Sequence, residues 1–118
     1  MSGVIVCIDD EPAICRILGS VLRETGASVE TFTDPHEALR FIRDNDVAAV
    51  VCDHRMPALS GLEVLERMEK CIPFLVVSGD LDAAELTGRV PGVTAVLPKP
   101  FHPARLLELA RLHMQGGG

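Results

Sequence analysis

Short runs of apolar residues alternate along the chain with segments in which apolar residues recur every three or four positions. Continuous apolar runs at residues 4–8, 47–52 and 73–77 are typical of strands buried on both faces. Residues 93–97, which include Thr94, are predicted to form a further strand, and residues 29–33 a weaker one. Helical spacing follows four of the strands, in segments that begin near Pro12, Pro35, Ser60 and Pro103, and a short, poorly patterned helix is predicted at residues 82–89. This alternation predicts a parallel sheet with helices on both faces and right-handed crossovers.

Charged and hydroxyl residues follow four of the five predicted strands. Asp9 and Asp10 come after the first strand, Asp53 after the third, Ser78 after the fourth and Lys99 after the fifth. The carboxyl ends of parallel strands meet at one edge of a sheet, where the ligands of such folds bind. We therefore expect three carboxylates, one hydroxyl and one ammonium group to converge there.

Such a cluster of like charges calls for a compensating cation or proton. Two carboxylates about 4 Å apart repel by about 4 kcal/mol at an effective dielectric constant near 20. Oxygen ligands without Cys or His favour Mg²⁺ or Mn²⁺. One carboxylate could then act as a nucleophile toward phosphorus, since aspartyl phosphates are a known covalent intermediate, with the ammonium and hydroxyl groups binding the phosphoryl oxygens.

These motifs, in this order, resemble the receiver domain of two-component response regulators from residue 4 to about residue 112. The resemblance implies a flavodoxin-like (βα)5 three-layer sandwich with a parallel five-stranded sheet of order 2-1-3-4-5. We expect one receiver domain over residues 1–114, with residues 115–118 as a disordered tail or truncated linker. The matching segments are Ile8-Asp9-Asp10-Glu11-Pro12, Asp53-His54-Arg55-Met56-Pro57 with Gly61, Val77-Ser78-Gly79 and Lys99-Pro100-Phe101.

The resemblance also implies a role for each acidic residue. Asp53 would be the phosphoacceptor and one ligand of the Mg²⁺ (or Mn²⁺) ion. Asp10 would bind the metal directly and Asp9 largely through water, while the backbone carbonyl of Arg55 would complete the protein ligands.

Two further site residues and the partners follow from the same resemblance. Ser78 would hydrogen-bond a phosphoryl oxygen, and Lys99 would pair with the phosphoryl group or with the empty Asp53, next to a cis Lys99–Pro100 peptide. The phosphodonor would be a histidine kinase or a histidine phosphotransfer protein, and the signal would pass to an unidentified output domain or target. A homodimer formed on phosphorylation is a further candidate partner. The expected enzymatic activity is limited to self-phosphorylation and autodephosphorylation.

Composition excludes several other classes of protein. The 118 residues carry 11 Lys and Arg against 17 Asp and Glu, a net charge of −6, which disfavours direct binding of nucleic acid. The apolar runs are shorter than the roughly 18 residues that a membrane span needs, and the N-terminus lacks the pattern of a signal peptide. The four cysteines lack metal-ligand spacing, and three of them lie in apolar runs or on an apolar helix face, where buried thiols in a cytoplasmic protein are expected.

One departure from the family leaves a second function open. Val96 stands where receivers usually have an aromatic residue three positions before the lysine, so a degenerate receiver that binds a partner without phosphorylation is the main alternative. A haloacid-dehalogenase type phosphotransferase would need an aspartate where Arg55 stands. A flavodoxin-like cofactor carrier would need a phosphate-binding loop where the chain has Asp9 and Asp10.

We also expect Arg55 to pair with Asp80 across the mouth of the site, slowing the entry of hydrolytic water.

Overall fold

A computed structural model describes residues 3–79 and 90–113. The predicted helix at residues 82–89, Asp80 and the tail at residues 115–118 lie outside these ranges. The strands are β1 (Val4–Ile8), β2 (Val29–Phe32), β3 (Val47–Asp53), β4 (Phe74–Gly79) and β5 (Ala95–Lys99), and the helices are α1 (Pro12–Arg23), α2 (Pro35–Asp44), α3 (Gly61–Arg67) and α4 (Pro103–His113).

The five strands form one parallel sheet of order β2-β1-β3-β4-β5. This order confirms the predicted flavodoxin-like fold. Within the described ranges, no helix is both long and apolar enough to cross a membrane.

Two hydrophobic cores lie on opposite faces of the sheet. Buried residues of α1 and α4 pack on one face, and those of α2 and α3 pack on the other. Successive side chains of a strand point to opposite faces, so Val50 joins the second core and Val51 the first. Central strands that are buried on both sides must be apolar at every position, which explains the continuous apolar runs.

The predicted ends of three strands were wrong in a way that matters for the site. β4 and β5 run to Gly79 and Lys99, two residues beyond the predicted ends, and β3 includes Asp53. In the ladder, Asp53 aligns with Val77, and Ser78 aligns with Pro98. The ladder continues through these polar residues because it is formed by backbone groups, whereas the apolar runs mark only where side chains are buried. Asp53, Ser78 and Lys99 are therefore held by the sheet itself, whereas Asp9 and Asp10 directly follow the end of β1.

The start of α3 lies directly against the end of β3. Ser60 and Glu63 form the predicted capping box, with each side chain accepting a hydrogen bond from the other residue's N–H. The Gly61 N–H donates to the carbonyl of His54 at 2.9 Å, and a Cβ at Gly61 would lie 3.0 Å from the Asp53 carbonyl oxygen. Any larger residue would force α3 and the end of β3 apart by a few tenths of an ångström, so glycine favours this close approach to Asp53.

Candidate functional site

Three aspartates come together at the carboxyl edge of the sheet, as the sequence predicted. One carboxylate oxygen from each of Asp9, Asp10 and Asp53 lies within 4.8 Å of the other two. Asp9 and Asp53 are buried, whereas Asp10 is exposed. The cluster thus has two carboxylates withdrawn from water and one at the surface.

Asp9 is the most tightly enclosed member of the cluster. Its Oδ1 accepts a hydrogen bond from the Glu11 N–H at 2.9 Å, whereas its buried Oδ2 has no hydrogen-bond donor in the described part of the chain. Burial raises the pKa of Asp9 to about 6; the Glu11 N–H and Lys99 oppose this rise, and the charges of Asp53 and Asp10 add to it. A buried carboxylate oxygen without a donor, next to two other carboxylates, is a place where a cation would be stabilised.

Lys99 brings a positive charge to the acidic cluster, as its position after the fifth predicted strand indicated. Its Nζ lies 2.9 Å from Asp53 Oδ1 and 3.8 Å from Asp9 Oδ2. Burial by itself lowers the pKa of Lys99, but the hydrogen bond and ion pair with Asp53 outweigh burial, and the net shift is upward. The ammonium group therefore remains charged and bridges the two buried carboxylates. The Lys99–Pro100 peptide is cis, as expected.

Ser78 reaches the same edge but does not join the ion pairs. Its side chain is buried, and its hydroxyl donates to the Gly79 carbonyl at 3.3 Å. A serine hydroxyl can rotate to a new partner, so the Ser78 hydroxyl can exchange the Gly79 carbonyl for another acceptor near the site.

Arg55 is exposed at the beginning of the loop between β3 and α3. This loop and Asp10 line a cavity of about 560 Å³ beside the acidic cluster, which leaves room for a small ligand or for the group that a partner presents. The expected pairing of Arg55 with Asp80 stays a prediction, because Asp80 is outside the described residues. The other residues lining the cavity are His54, Met56, Pro57 and Ser60.

The donor set fits a hard divalent cation. The three carboxylates provide oxygen ligands only, and Asp9 Oδ2 accepts no hydrogen bond from the residues that the structure describes, which leaves it able to bind a cation. Mg²⁺ usually takes one or two protein carboxylates and keeps several waters, which suits a cluster with one exposed member.

Cys15 contacts this cluster in a way that its sequence context did not predict. Three cysteines were expected to be buried packing residues, and Cys7, Cys15 and Cys52 are buried, whereas Cys71 is exposed. The Cys15 thiol, however, also lies 3.2 Å from the backbone carbonyl oxygen of Asp9. The spacing of six residues between them carries no signal of this contact, since it arises from the packing of α1 on the strand ends.

Comparison with known proteins identifies relatives over nearly the whole chain. A model of the response regulator receiver domain matches residues 5–111. The chain is 31% identical over 114 residues to the response regulator protein TodT of Pseudomonas putida, which covers 93% of this chain and 50% of that protein. It is 37% identical over 111 residues to the response regulator MprA of Mycobacterium sp. (strain KMS), with coverage of 91% and 48%. The chain thus spans about half the length of these curated relatives.

Solved structures with the same architecture include a chemotaxis regulator. The chemotaxis response regulator CheY4 of Vibrio cholerae superposes with a TM-score of 0.84 at 27% identity, covering 95% of this chain and 98% of that one. An uncharacterised protein from Neptuniibacter caesariensis superposes with a TM-score of 0.86 at 27% identity, with coverage of 96% and 87%.

Proposed function

The chain belongs to the response regulator receiver domain family, and on that premise we propose that it is a phosphorylation switch with Asp53 as the phosphoacceptor. A histidine kinase or a histidine phosphotransfer protein would supply the phosphoryl group, and an output domain or a separate target would respond to it. The observation that carries this proposal is the contact of Asp53 Oδ1 with Lys99 Nζ at 2.9 Å, beside the carboxylates of Asp9 and Asp10.

In the proposed transfer, a carboxylate oxygen of Asp53 attacks the phosphorus of a phosphohistidine. The new P–O bond forms as the P–N bond breaks, and the electron pair of the P–N bond returns to the imidazole nitrogen. Later, water attacks the same phosphorus, the anhydride bond breaks, and inorganic phosphate leaves the restored Asp53 carboxylate. We propose that the domain catalyses this chemistry only on itself.

The residues around Asp53 would have distinct tasks. The Lys99 ammonium group would move from the Asp53 carboxylate to the phosphoryl oxygens, whose negative charge it would neutralise. Ser78 would rotate its hydroxyl from the Gly79 carbonyl toward a phosphoryl oxygen. Asp9, Asp10, Asp53 and the Arg55 carbonyl would hold Mg²⁺ (or Mn²⁺), which when bound neutralises charge on the transferring group.

The second candidate is a receiver that signals without phosphorylation. Val96, which is aligned with Val76 in the ladder, lacks the aromatic ring that the family generally uses to couple the site to the output surface. A domain without that coupling could serve as a constant docking module.

The test uses acetyl phosphate with Mg²⁺ and intact-mass spectrometry. We expect the wild-type protein to gain one phosphoryl group, and Asp53→Asn or wild type with chelator to gain none. Asp46→Asn is the matched control, since it makes the same chemical change at an exposed aspartate directly before β3. The phosphorylation-independent module is favoured instead if three results occur together: the wild-type protein is not phosphorylated, it still binds Mg²⁺, and it forms no complex with beryllofluoride.

A further inference from the structure

The backbone of Asp9 is tied on both sides of its Cα. Its N–H donates to the Phe32 carbonyl at 3.1 Å, which joins the end of β1 to the end of β2. Its carbonyl oxygen lies 3.2 Å from the Sγ atom of Cys15, which also lies 3.4 Å from the Phe32 carbonyl oxygen. Cys15 is thus wedged between the ends of two strands, and it is only 3% exposed.

The chemistry of Cys15 suits a hydrogen-bond donor better than a reactive thiol. Burial raises the pKa of Cys15, so the group is a protonated thiol at neutral pH and a poor nucleophile. A thiol has one proton to donate, and the Asp9 oxygen is the nearer of its two acceptors. The contact therefore fixes the direction of the Asp9 carbonyl.

We propose that Cys15 is a positioning residue of the acidic site, whose thiol holds the peptide that joins Asp9 to Asp10. This peptide is planar, so fixing its oxygen also fixes the direction in which the chain enters Asp10. The Glu11 N–H holds Oδ1 of Asp9 at the same time. Both carboxylates would then face a cation in one arrangement, and neither would need to reorient when the cation binds.

The expected effect is modest and specific to the cation. A thiol is a weaker hydrogen-bond donor than a hydroxyl or an amide, so we expect the loss of this bond to raise the Kd for Mg²⁺ about two- to fivefold. A serine at the same position keeps a donor and should restore most of the affinity.

The experiment compares Cys15→Ala and Cys15→Ser with Cys7→Ala. Cys7 is also a buried thiol, in β1 within the core that packs against α1, and no hydrogen bond links it to the acidic residues in the described part of the chain. Two quantities are measured: the Kd for Mg²⁺ by titration, and the ¹⁵N shift of the Asp10 amide in the metal-free protein. Thermal unfolding of each variant reports stability separately.

We expect Cys15→Ala to weaken Mg²⁺ binding and to move the Asp10 amide resonance, with Cys15→Ser close to wild type in both. Cys7→Ala should change stability alone. An unmoved Asp10 amide and equal Mg²⁺ affinity in Cys15→Ala and Cys7→Ala would overturn the inference. The inference rests on the proposed function for the identity of the cation only: if wild type fails to bind Mg²⁺, that part of the proposed function fails, while the Asp10 amide still decides the role of Cys15.

Discussion

Replacing Asp9 with asparagine is expected to stabilise the metal-free protein. Asp9 is fully buried, its Oδ2 atom lacks a donor among the described residues, and two further carboxylates lie beside it. An asparagine keeps the oxygen that accepts from the Glu11 N–H and removes the charge that burial penalises.

The size of the effect follows from the pKa of Asp9. A rise from 3.8 to about 6 corresponds to about 3 kcal/mol between the charged and neutral forms. Because the folded pKa is raised, the native protein binds more protons than the unfolded chain between about pH 4 and pH 6. The free energy of unfolding therefore falls as the pH rises through that window. Asp9→Asn should lack this loss, so it should be about 2–3 kcal/mol more stable than wild type at pH 8 and nearly equal to it at pH 4.

The assay is urea unfolding in the presence of a chelator, from pH 4 to pH 8. Taking the difference between wild type and Asp9→Asn removes the titration of all groups that the two proteins share. Asp46→Asn, at an exposed position, should follow wild type at every pH. A difference between wild type and Asp9→Asn that is constant with pH, or that favours wild type at pH 8, would refute the reasoning.

Three other substitutions test how the site is built. Gly61→Ala would bring a Cβ to 3.0 Å from the Asp53 carbonyl oxygen and 3.1 Å from His54 Cα. We therefore expect the free energy of unfolding in urea to fall by about 1–3 kcal/mol and phosphorylation to slow. Normal phosphorylation rates would contradict the argument that α3 must approach β3 closely. Lys99→Gln removes a charge-assisted contact with Asp53. Phosphorylation by acetyl phosphate should therefore slow by about ten- to a hundredfold, while the affinity for Mg²⁺ is not weakened. A parallel loss of Mg²⁺ binding would mean that the lysine only supports the fold. Ser60→Ala breaks the capping box of α3 and should cost about 1 kcal/mol in thermal unfolding with the phosphorylation rate unchanged.

The sequence was sufficient to predict which acidic residues meet. Asp9 and Asp53 are 44 positions apart, but each comes at the end of an apolar run, and parallel strands bring such ends to one edge. The apolar runs predict which segments form strands because burial on both faces requires apolar residues throughout. They do not predict where the ladder ends, because backbone hydrogen bonds continue through polar residues such as Ser78.

Details that depend on side-chain rotation and on helix packing were beyond the sequence. The Ser78 hydroxyl donates to the Gly79 carbonyl, a choice among rotamers that no pattern of residue types encodes. The contact of Cys15 with the Asp9 carbonyl requires α1 to pack at one particular height against β1, and that height is set by the whole core. Short polar contacts of this kind are therefore found only in the folded structure.

The most direct test of the central claim is chemical mapping of the phosphorylated residue. After treatment with acetyl phosphate and Mg²⁺, borohydride reduction converts an aspartyl phosphate to homoserine, and tandem mass spectrometry of the peptides locates that change. We predict homoserine at position 53 alone, and none in Asp53→Asn or in protein treated with chelator. Homoserine at position 9 or 10, or a phosphoryl group that resists reduction because it is on another residue type, would contradict the assignment of Asp53 as the phosphoacceptor.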